Sequence, residues 1–397
     1  MIKVLLVSSI FPNSAENERG IFTYHIAEAL KSRCRLEVVA PLPWVPRPLK
    51  NRDPEKYLNA QVPVIENISG QRVHHPRYGA IPGFLNFLHP IFMFAPLLQL
   101  IKKLDRQEGI DVINAHWLFP DGVAATWVAR RLGKPIVLTA LGCDINYYPT
   151  LPFRKNMIQH ALGLSKHVTV KAASLKQQVV ALGVPANDVH IIPNGIDSHY
   201  FHIMDRISAR RRLNLPENGL LILTVGSLDE VKGTRYLLEA LKDTSGCSEP
   251  LPHLLLVGEG PLQSALTWQA RDFGIAGRVH FLGKKPHHEI PLWMNAADLF
   301  CLPSIREGRP NVLLEALACG LPAVASSVGS IPEMINEKNG FLARAGSHES
   351  LKTQILAALN RNWDRKEICG TVEKFSWEEC ADQYIQIYLE TMADYED

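Results

Sequence analysis

Apolar and polar positions follow two alternating patterns along the whole chain. Continuous Val/Ile/Leu-rich runs stand at KVLLVSS (3–9), RLEVVA (35–40), DVINAH (111–116), PIVLTA (135–140), HVTV (167–170) and VHIIP (189–193). The second half repeats them at LLILTVG (220–226), HLLLVG (253–258), RVHFLG (278–283), DLFCLP (298–303), PAVAS (322–326) and GFLAR (340–344). Between them lie stretches with helical spacing, at 20–32, 121–132, 172–183, 234–242, 261–273, 309–319 and 347–360. Unbroken apolar runs are those of strands buried on both faces, and their alternation with helices implies parallel sheets. Six strands in each half predict two doubly wound, Rossmann-like α/β domains rather than one barrel. The length of 397 residues agrees, being long for a single core.

The predicted boundary lies within 193–206, PNGIDSHYFHIMDR, which has turn chemistry at Asn194-Gly195 and no clear period. It separates a first domain, 1–195, from a second, 196–374. The last stretch, 375–393, reads as an aromatic-rich helix with Phe375, Trp377, Tyr384, Ile385 and Tyr388. Its apolar face needs a partner, and packing back on the first domain is expected.

Composition narrows the class. With 46% hydrophobic and 21% charged residues the chain is globular. Seven scattered cysteines, with no CxxC pair, argue against a zinc site or a disulfide framework and for a reducing compartment. The apolar start, Met1 to Val7, is too short for a signal peptide and reads as a first strand. Charge is divided unevenly: residues 1–190 hold 22 Lys and Arg against 13 Asp and Glu, while the remainder holds 20 against 27. A basic first half suits a membrane surface, a diphosphate carrier or a charged glycan. It also contains 81–101, IPGFLNFLHPIFMFAPLLQLI, which has no charged residue. Pro82, Gly83, Pro90 and Pro96 interrupt it, which predicts short apolar helices. Two readings stand open: helices lying in a membrane interface between Arg72, Arg77, Lys102 and Lys103, or core.

The sharpest chemical signal is the segment from Pro303 to Ala316, PSIREGRPNVLLEA. It follows a strand and opens a helix, so it stands where open α/β sheets bind ligands. The helix N-terminus after Gly308 supplies free backbone N–H groups and positive dipole character, which suits a diphosphate. Glu315 follows Glu307 by eight residues, about two helical turns. The pair is expected to bracket one elongated ligand, with Glu307 at its sugar end and Glu315 accepting ribose hydroxyls. Lys232, after a strand and before helix 234–242, can reach a phosphate as a point charge.

This Glu-x7-Glu segment, with LACGLPAVASSVGSIPEMI after it, resembles the signature of glycosyltransferase family 4, whose members are retaining enzymes with two facing Rossmann-like domains (the GT-B fold). Val225-Gly226-Ser227-Leu228 with Lys232-Gly233, Leu256 to Leu262, Phe281-Leu282-Gly283 and Pro193 to Asp197 agree in order, as do Asp111 to Trp117 and Leu141 to Ile145. The resemblance spans the chain and is strongest to the bacterial branch that builds exopolysaccharide and teichuronic-acid-like polymers. It implies transfer of a hexosyl unit from a nucleoside-diphosphate sugar, a UDP-sugar ahead of a GDP-sugar, to a glycan or lipid-linked acceptor. It implies catalytic roles for His116, Lys232 and Glu307, with His116 facing the cleft near the reacting carbon. Gly20, Ser227, Gly308, Arg309, Pro310, Asn311 and Glu315 are the expected donor-binding residues, and Asp144 is a candidate on the acceptor side. Two positions depart from the family pattern. Ser227 stands where an arginine is usual, so the phosphate clamp lacks one cation. Arg309 stands where an apolar or aromatic residue is usual, and it could restore that charge, face an acidic donor sugar or be a plain exposed arginine.

Other classes fare less well. Gly258-Glu259-Gly260 lacks the third glycine of a dinucleotide fingerprint, Gln263 standing in its place. No Asp-x-Asp occurs, so a metal-held donor phosphate, and any other cofactor, is not expected. Nucleic acid is not an expected partner. A sugar-nucleotide 2-epimerase and a non-catalytic nucleotide-sugar-binding subunit remain as alternatives. The expected location is the cytoplasm, with peripheral contact at the inner face of the membrane through 81–101.

Overall fold

The computed structural model of the chain describes residues 1–17, 19–44, 59, 61–80, 84–243 and 251–396. Pro82 and Gly83 of the apolar segment lie outside the described residues. The fold is α/β and comprises two compact units: Met1–Gly195 with Trp377–Asp397, and Ile196–Ser376.

The first unit is built on an eight-stranded sheet. In chain order its strands are β1 (Lys3–Val7), β2 (Arg35–Val39), β4 (Ile65–Ile68), β5 (Gln71–His74), β7 (Val112–His116), β8 (Ile136–Ala140), β9 (His167–Val170) and β10 (Val189–Ile191). Their order across the sheet is β10-β9-β8-β7-β1-β2-β5-β4. All pairings are parallel except β4 with β5. β3 (Leu42–Trp44) and β6 (Arg77–Gly79) form a separate parallel pair. β7, β8 and β9 are buried at every position, as strands covered on both faces must be. One face carries a core with Leu5, Ile113, Leu138 and Val168. The other packs Val4, Val112 and Val137 against Trp377, Ala381, Tyr384 and Tyr388 of the final helix. That helix spans Trp377–Glu396, starting two residues later than the sequence pattern indicated.

The second unit has a six-stranded parallel sheet of β11 (Leu221–Val225), β12 (His253–Val257), β13 (Val279–Gly283), β14 (Leu299–Leu302), β15 (Ala323–Ser326) and β16 (Gly340–Ala343). Its order is β13-β12-β11-β14-β15-β16. The chain therefore winds outward from β11 in one direction and then from β14 in the other. The reversal between β11 and β14 leaves a crevice at the strands' carboxyl ends. In the first unit the same reversal falls between β1 and β7.

The apolar segment departs from expectation. It forms a short 3₁₀ stretch, Phe84–Leu88, and then one continuous helix, His89–Glu108, rather than several short ones. Pro90 sits in the first turn, where its missing N–H has no partner to lose. Only Pro96 is interior. Pro90, Met93, Leu97, Ile101 and Leu104 are buried, whereas Ile91 is 51% exposed. The helix thus lies docked along one face of the first unit. By length and composition alone, Asn86–Glu108 would also suffice to cross a membrane.

Candidate active site

In the second unit, the loops leaving β11 and β14 meet at the crevice. The β11 loop ends in a 3₁₀ turn, Glu230–Lys232, capped by Asp229, whose Oδ1 accepts the Lys232 N–H at 3.1 Å. Asp229 is itself held by the Ser227 hydroxyl, which donates to Oδ2 at 2.6 Å. Gly233 follows with φ of 64°, and a Cβ there would stand 2.2 Å from the Pro303 carbonyl oxygen. Only glycine permits both that backbone conformation and that approach. The Ile305 N–H donates to the Val231 carbonyl at 2.8 Å and ties the two loops together.

This tie fixes Lys232 opposite Glu307. Its Nζ donates to Glu307 Oε1 at 2.7 Å, and the Ser304 hydroxyl donates to the same oxygen at 2.7 Å. Both charged side chains are largely buried, 26% and 11% exposed, so little water screens them. The β15 exit supports the same loop, since Ser330 donates through N–H and hydroxyl to the Gly308 carbonyl at 3.0 and 2.8 Å.

The helix that follows is Asn311–Ala318, with Pro310 as its N-cap residue and no side-chain cap. Glu307 therefore lies in the loop before the helix, not two turns back along it. Proline at position 310 biases Arg309 away from helical backbone and stops the helix there. Glu315 faces inward at 6% exposure, and the His287 ring bonds its Oε1 at 2.8 Å. Arg309 is half-buried, with its guanidinium 5.0 Å over the Phe375 ring, which corrects the exposed-arginine reading.

The first-unit residues meet expectation less well. Gly20 has φ of 62°, and a Cβ there would lie 2.3 Å from the Ile10 carbonyl oxygen. The close approach that this glycine serves in the structure is to the Ile10 backbone. His116 ends β7 but is 1% exposed. Its Nε2 lies 2.8 Å from Asn114 Oδ1, which also accepts from Tyr388 Oη at 2.8 Å. An amide oxygen only accepts, so Nε2 carries the proton. Burial, reinforced by the Lys171 charge, holds the ring's pKa well below the ordinary histidine range, so His116 is neutral. Its ring stacks on Tyr384 at 5.7 Å, inside the unit rather than facing solvent. Asp144 is fully buried and holds its own loop. Its oxygens accept the N–H groups of Leu118 at 2.9 Å, Leu141 at 3.0 Å and Gly142 at 2.7 Å. Burial raises its pKa while these donors lower it. With every donor coming from backbone, Asp144 is a loop-positioning residue rather than an acceptor ligand.

Among the described residues, one His/Glu group has metal-ligand spacing: His167, His190 and Glu390, on β9, β10 and the final helix of the first unit.

The sequence matches known families in both halves. Residues 20–200 match the family described as Glycosyltransferase Family 4, and residues 205–372 match Glycosyl transferases group 1. A protein designated a teichuronic acid biosynthesis glycosyltransferase, TuaC of Bacillus subtilis, is 31% identical over 362 residues, covering 89% of this chain and 88% of its own length. The chain belongs to the family 4 glycosyltransferases.

A second relative, N-acetyl-alpha-D-glucosaminyl L-malate synthase of Bacillus anthracis, is 27% identical, covering 82% of this chain and 91% of its own. Among solved structures, sucrose-phosphate synthase from Thermosynechococcus elongatus superposes with a TM-score of 0.75 at 21% identity, covering 99% of this chain and 100% of its own. Anabaena HepE in complex with UDP gives 0.73 at 21% identity, covering 98% and 100%. These likenesses show the GT-B fold, and the chain is a glycosyltransferase with that fold. Sequence reasoning missed His287, Ser304 and Asp229 around the family's Glu-x7-Glu segment. His287 stands 28 residues before its partner Glu315, and no local pattern links the two.

Proposed function

We propose that this glycosyltransferase moves a hexosyl unit, with retention of configuration, from a nucleoside-diphosphate sugar to an acceptor hydroxyl in cell-surface polysaccharide or glycolipid synthesis. The Lys232–Glu307–Ser304 cluster, at the crevice between β11 and β14 and beside the start of helix Asn311–Ala318, carries the reading. A diphosphate there would meet the Lys232 ammonium and the helix N-terminus, and Lys232 would turn from Glu307 to phosphate oxygen. Glu315, held by His287, would accept ribose hydroxyls. The bond from the sugar's anomeric carbon to the β-phosphate oxygen breaks as the acceptor oxygen bonds that carbon from the same face. The acceptor proton passes to the departing phosphate. Lys232 would stabilise the charge building on that phosphate, and no step is routed through a metal ion. UDP is the favoured nucleotide. The structures of HepE with UDP and with UDP-glucose support that choice by analogy of fold.

The setting we propose is the cytoplasm, at the inner face of the membrane. Ile91, 51% exposed, and Phe153, 62% exposed with its ring 5.1 Å from Phe87, offer apolar contact beside a basic half-chain.

The test is a thermal-shift panel with UDP, GDP, ADP and dTDP, followed by incubation with the matching sugar nucleotides and analysis of products. Nucleoside diphosphate released with an intact α-glycoside from an α-donor supports the proposal. A 2-epimerised free sugar nucleotide identifies an epimerase. Tight nucleotide binding with no turnover under any donor and acceptor pairing identifies a non-catalytic binding subunit.

A further inference from the structure

Four titratable side chains of the first unit converge where the final helix crosses the edge of the sheet. β9 and β10 pair in parallel with His190 opposite Thr169. His167 comes two residues before Thr169 on β9, so it lies on the same face of the sheet as His190. That face meets the helix, since the Thr169 hydroxyl donates to Tyr384 Oη at 3.4 Å. Glu390 and Asp394 are four residues apart in helix Trp377–Glu396 and share one side of it. His167 is the first residue of its strand, so the cluster stands at the amino ends of the strands, away from the carboxyl ends where ligands of such sheets bind.

His167 Nδ1 and His190 Nε2 are 2.9 Å apart, with the two rings tilted by 49°. One ligand atom each of His167, His190 and Glu390 lies within 4.8 Å of the others. His167 is buried, and the other two are half-buried. Asp394 Oδ2 lies 3.0 Å from His167 Nε2. An ionised carboxylate only accepts, so a neutral His167 carries its proton on Nε2 and turns the Nδ1 lone pair toward the cluster. A carboxylate behind an imidazole is the partner that orients a metal-binding histidine and raises its basicity. Burial, with His167 beside it, holds His190 below the ordinary histidine range, which favours the neutral ring that a metal needs. A hydrogen bond between the imidazoles accounts for the two rings, but not for a carboxylate converging on both.

We infer that His167, His190 and Glu390 bind a divalent cation of zinc's class, and that Asp394 positions His167 for it. Two imidazoles and one carboxylate suit zinc, whereas magnesium and calcium take oxygen ligands. With metal–nitrogen bonds of about 2.0–2.1 Å, tetrahedral ligand atoms stand about 3.3 Å apart, so the two nitrogens need to part by about 0.4 Å. The cation replaces the proton between the rings, and His190 carries its proton on Nδ1 instead. Water takes the fourth position. Lys166, 3.8 Å from Asp394 Oδ2 and 59% exposed, is free to swing into solvent. The ion fastens the last turns of the helix to β9 and β10, so its role is structural, and it is independent of the glycosyl-transfer reading. His167 is 23 positions from His190 and 227 from Asp394, so no spacing motif marks the site.

Calorimetry and thermal unfolding of the untagged full chain, stripped with EDTA and dialysed, test the site with zinc chloride. The wild type should take up one zinc per chain with a Kd below about 10 µM, and zinc at about 100 µM should raise Tm by about 3 °C or more, reversibly with EDTA. Magnesium and calcium should leave Tm within about 1 °C. X-ray absorption should show nitrogen and oxygen around the zinc and no sulfur at about 2.3 Å. His190→Gln and Glu390→Gln should each weaken binding about 100-fold, and Asp394→Asn at least about tenfold. His280→Gln, which breaks the separate His253–His280 pair of the second unit, should leave it unchanged. In the wild type, saturating zinc should slow amide hydrogen exchange in 384–394, and that measurement decides the matter if the variants do not fold. No zinc uptake, affinity unchanged in His190→Gln or Glu390→Gln, sulfur around the zinc, or no protection of 384–394 at saturation overturns the inference.

Discussion

Replacing Glu315 by alanine tests the assignment of the nucleoside end. Glu315 is 6% exposed, and one of its oxygens is already bonded by His287 at 2.8 Å. That contact orients the carboxylate and leaves its second oxygen for a ligand. A hydrogen bond to a charged group contributes about 1.5–3 kcal/mol, so losing the ribose contact should weaken UDP binding about 10- to 150-fold. His287 is one-third exposed and can be solvated when its partner is gone, which limits the cost to the free protein. The discriminating assay is calorimetry with UDP and 2′,3′-dideoxy-UDP on both proteins. Wild type should bind the dideoxy form more weakly by about the factor that the mutation costs for UDP, and Glu315→Ala should bind the two nucleotides alike. If the mutation weakens both nucleotides by the same factor, the carboxylate does not read the ribose, and the effect is one of folding or general charge.

Three further outcomes follow from the geometry. Lys232→Ala should lower turnover about 10²- to 10³-fold, as loss of a donor to developing charge does, while UDP affinity changes less than tenfold; steady-state kinetics alongside calorimetry separates the two, and a strict need for added divalent metal in the wild type would contradict the cationic clamp. Asp121, with a folded pKa of about 7 against 3.8 when unfolded, binds more protons folded than unfolded between those values, so its contribution to stability is present below about pH 4 and lost as pH rises through 7. Denaturant titrations of Asp121→Asn and wild type should diverge by up to about 4 kcal/mol over that window, from about 1.4 kcal/mol per pKa unit, and parallel curves would refute the assignment. Serine at Phe87, Ile91 and Phe153 together should lower sedimentation with anionic liposomes at low salt and spare UDP affinity; failure of the wild-type chain to sediment there would end the membrane proposal.

All twelve apolar runs of the sequence are strands, because burial on both faces leaves an unbroken hydrophobic record that needs no partner to be read. The strands that escaped notice lack that record. β4 alternates exposed and half-buried positions, and β5, Gln-Arg-Val-His, buries two polar side chains. Gln71 is accommodated by backbone carbonyls and His74 by Glu37 at 3.2 Å. Pairing of that kind becomes visible only in three dimensions. The helix His89–Glu108 was hidden for the opposite reason: its prolines read as breaks, although one occupies the first turn, where proline costs nothing.

The placement of the candidate residues was legible where the family motif and the loop geometry coincide, at Lys232, Glu307 and Glu315. It was least legible at His116 and Asp144, and the reason is general. The carboxyl end of a parallel strand is where ligands bind, and it is also where the exit loop must be tied down. A polar side chain there serves one need or the other, and its competitors decide which. Asp144 accepts the N–H groups of Leu118, Leu141 and Gly142 around its sharp loop, so its oxygens are engaged locally. His116 is claimed by Asn114, and Asn114 in turn by Tyr388, 274 positions away in the final helix. Among the described residues the Lys232 ammonium has no such backbone claim, only a carboxylate that a diphosphate can displace. Residues engaged solely by exchangeable side-chain partners are thus the better ligand candidates. By the same criterion Arg154, engaged among the described residues by rings alone, stands out in the first unit, although nothing in its local sequence marked it.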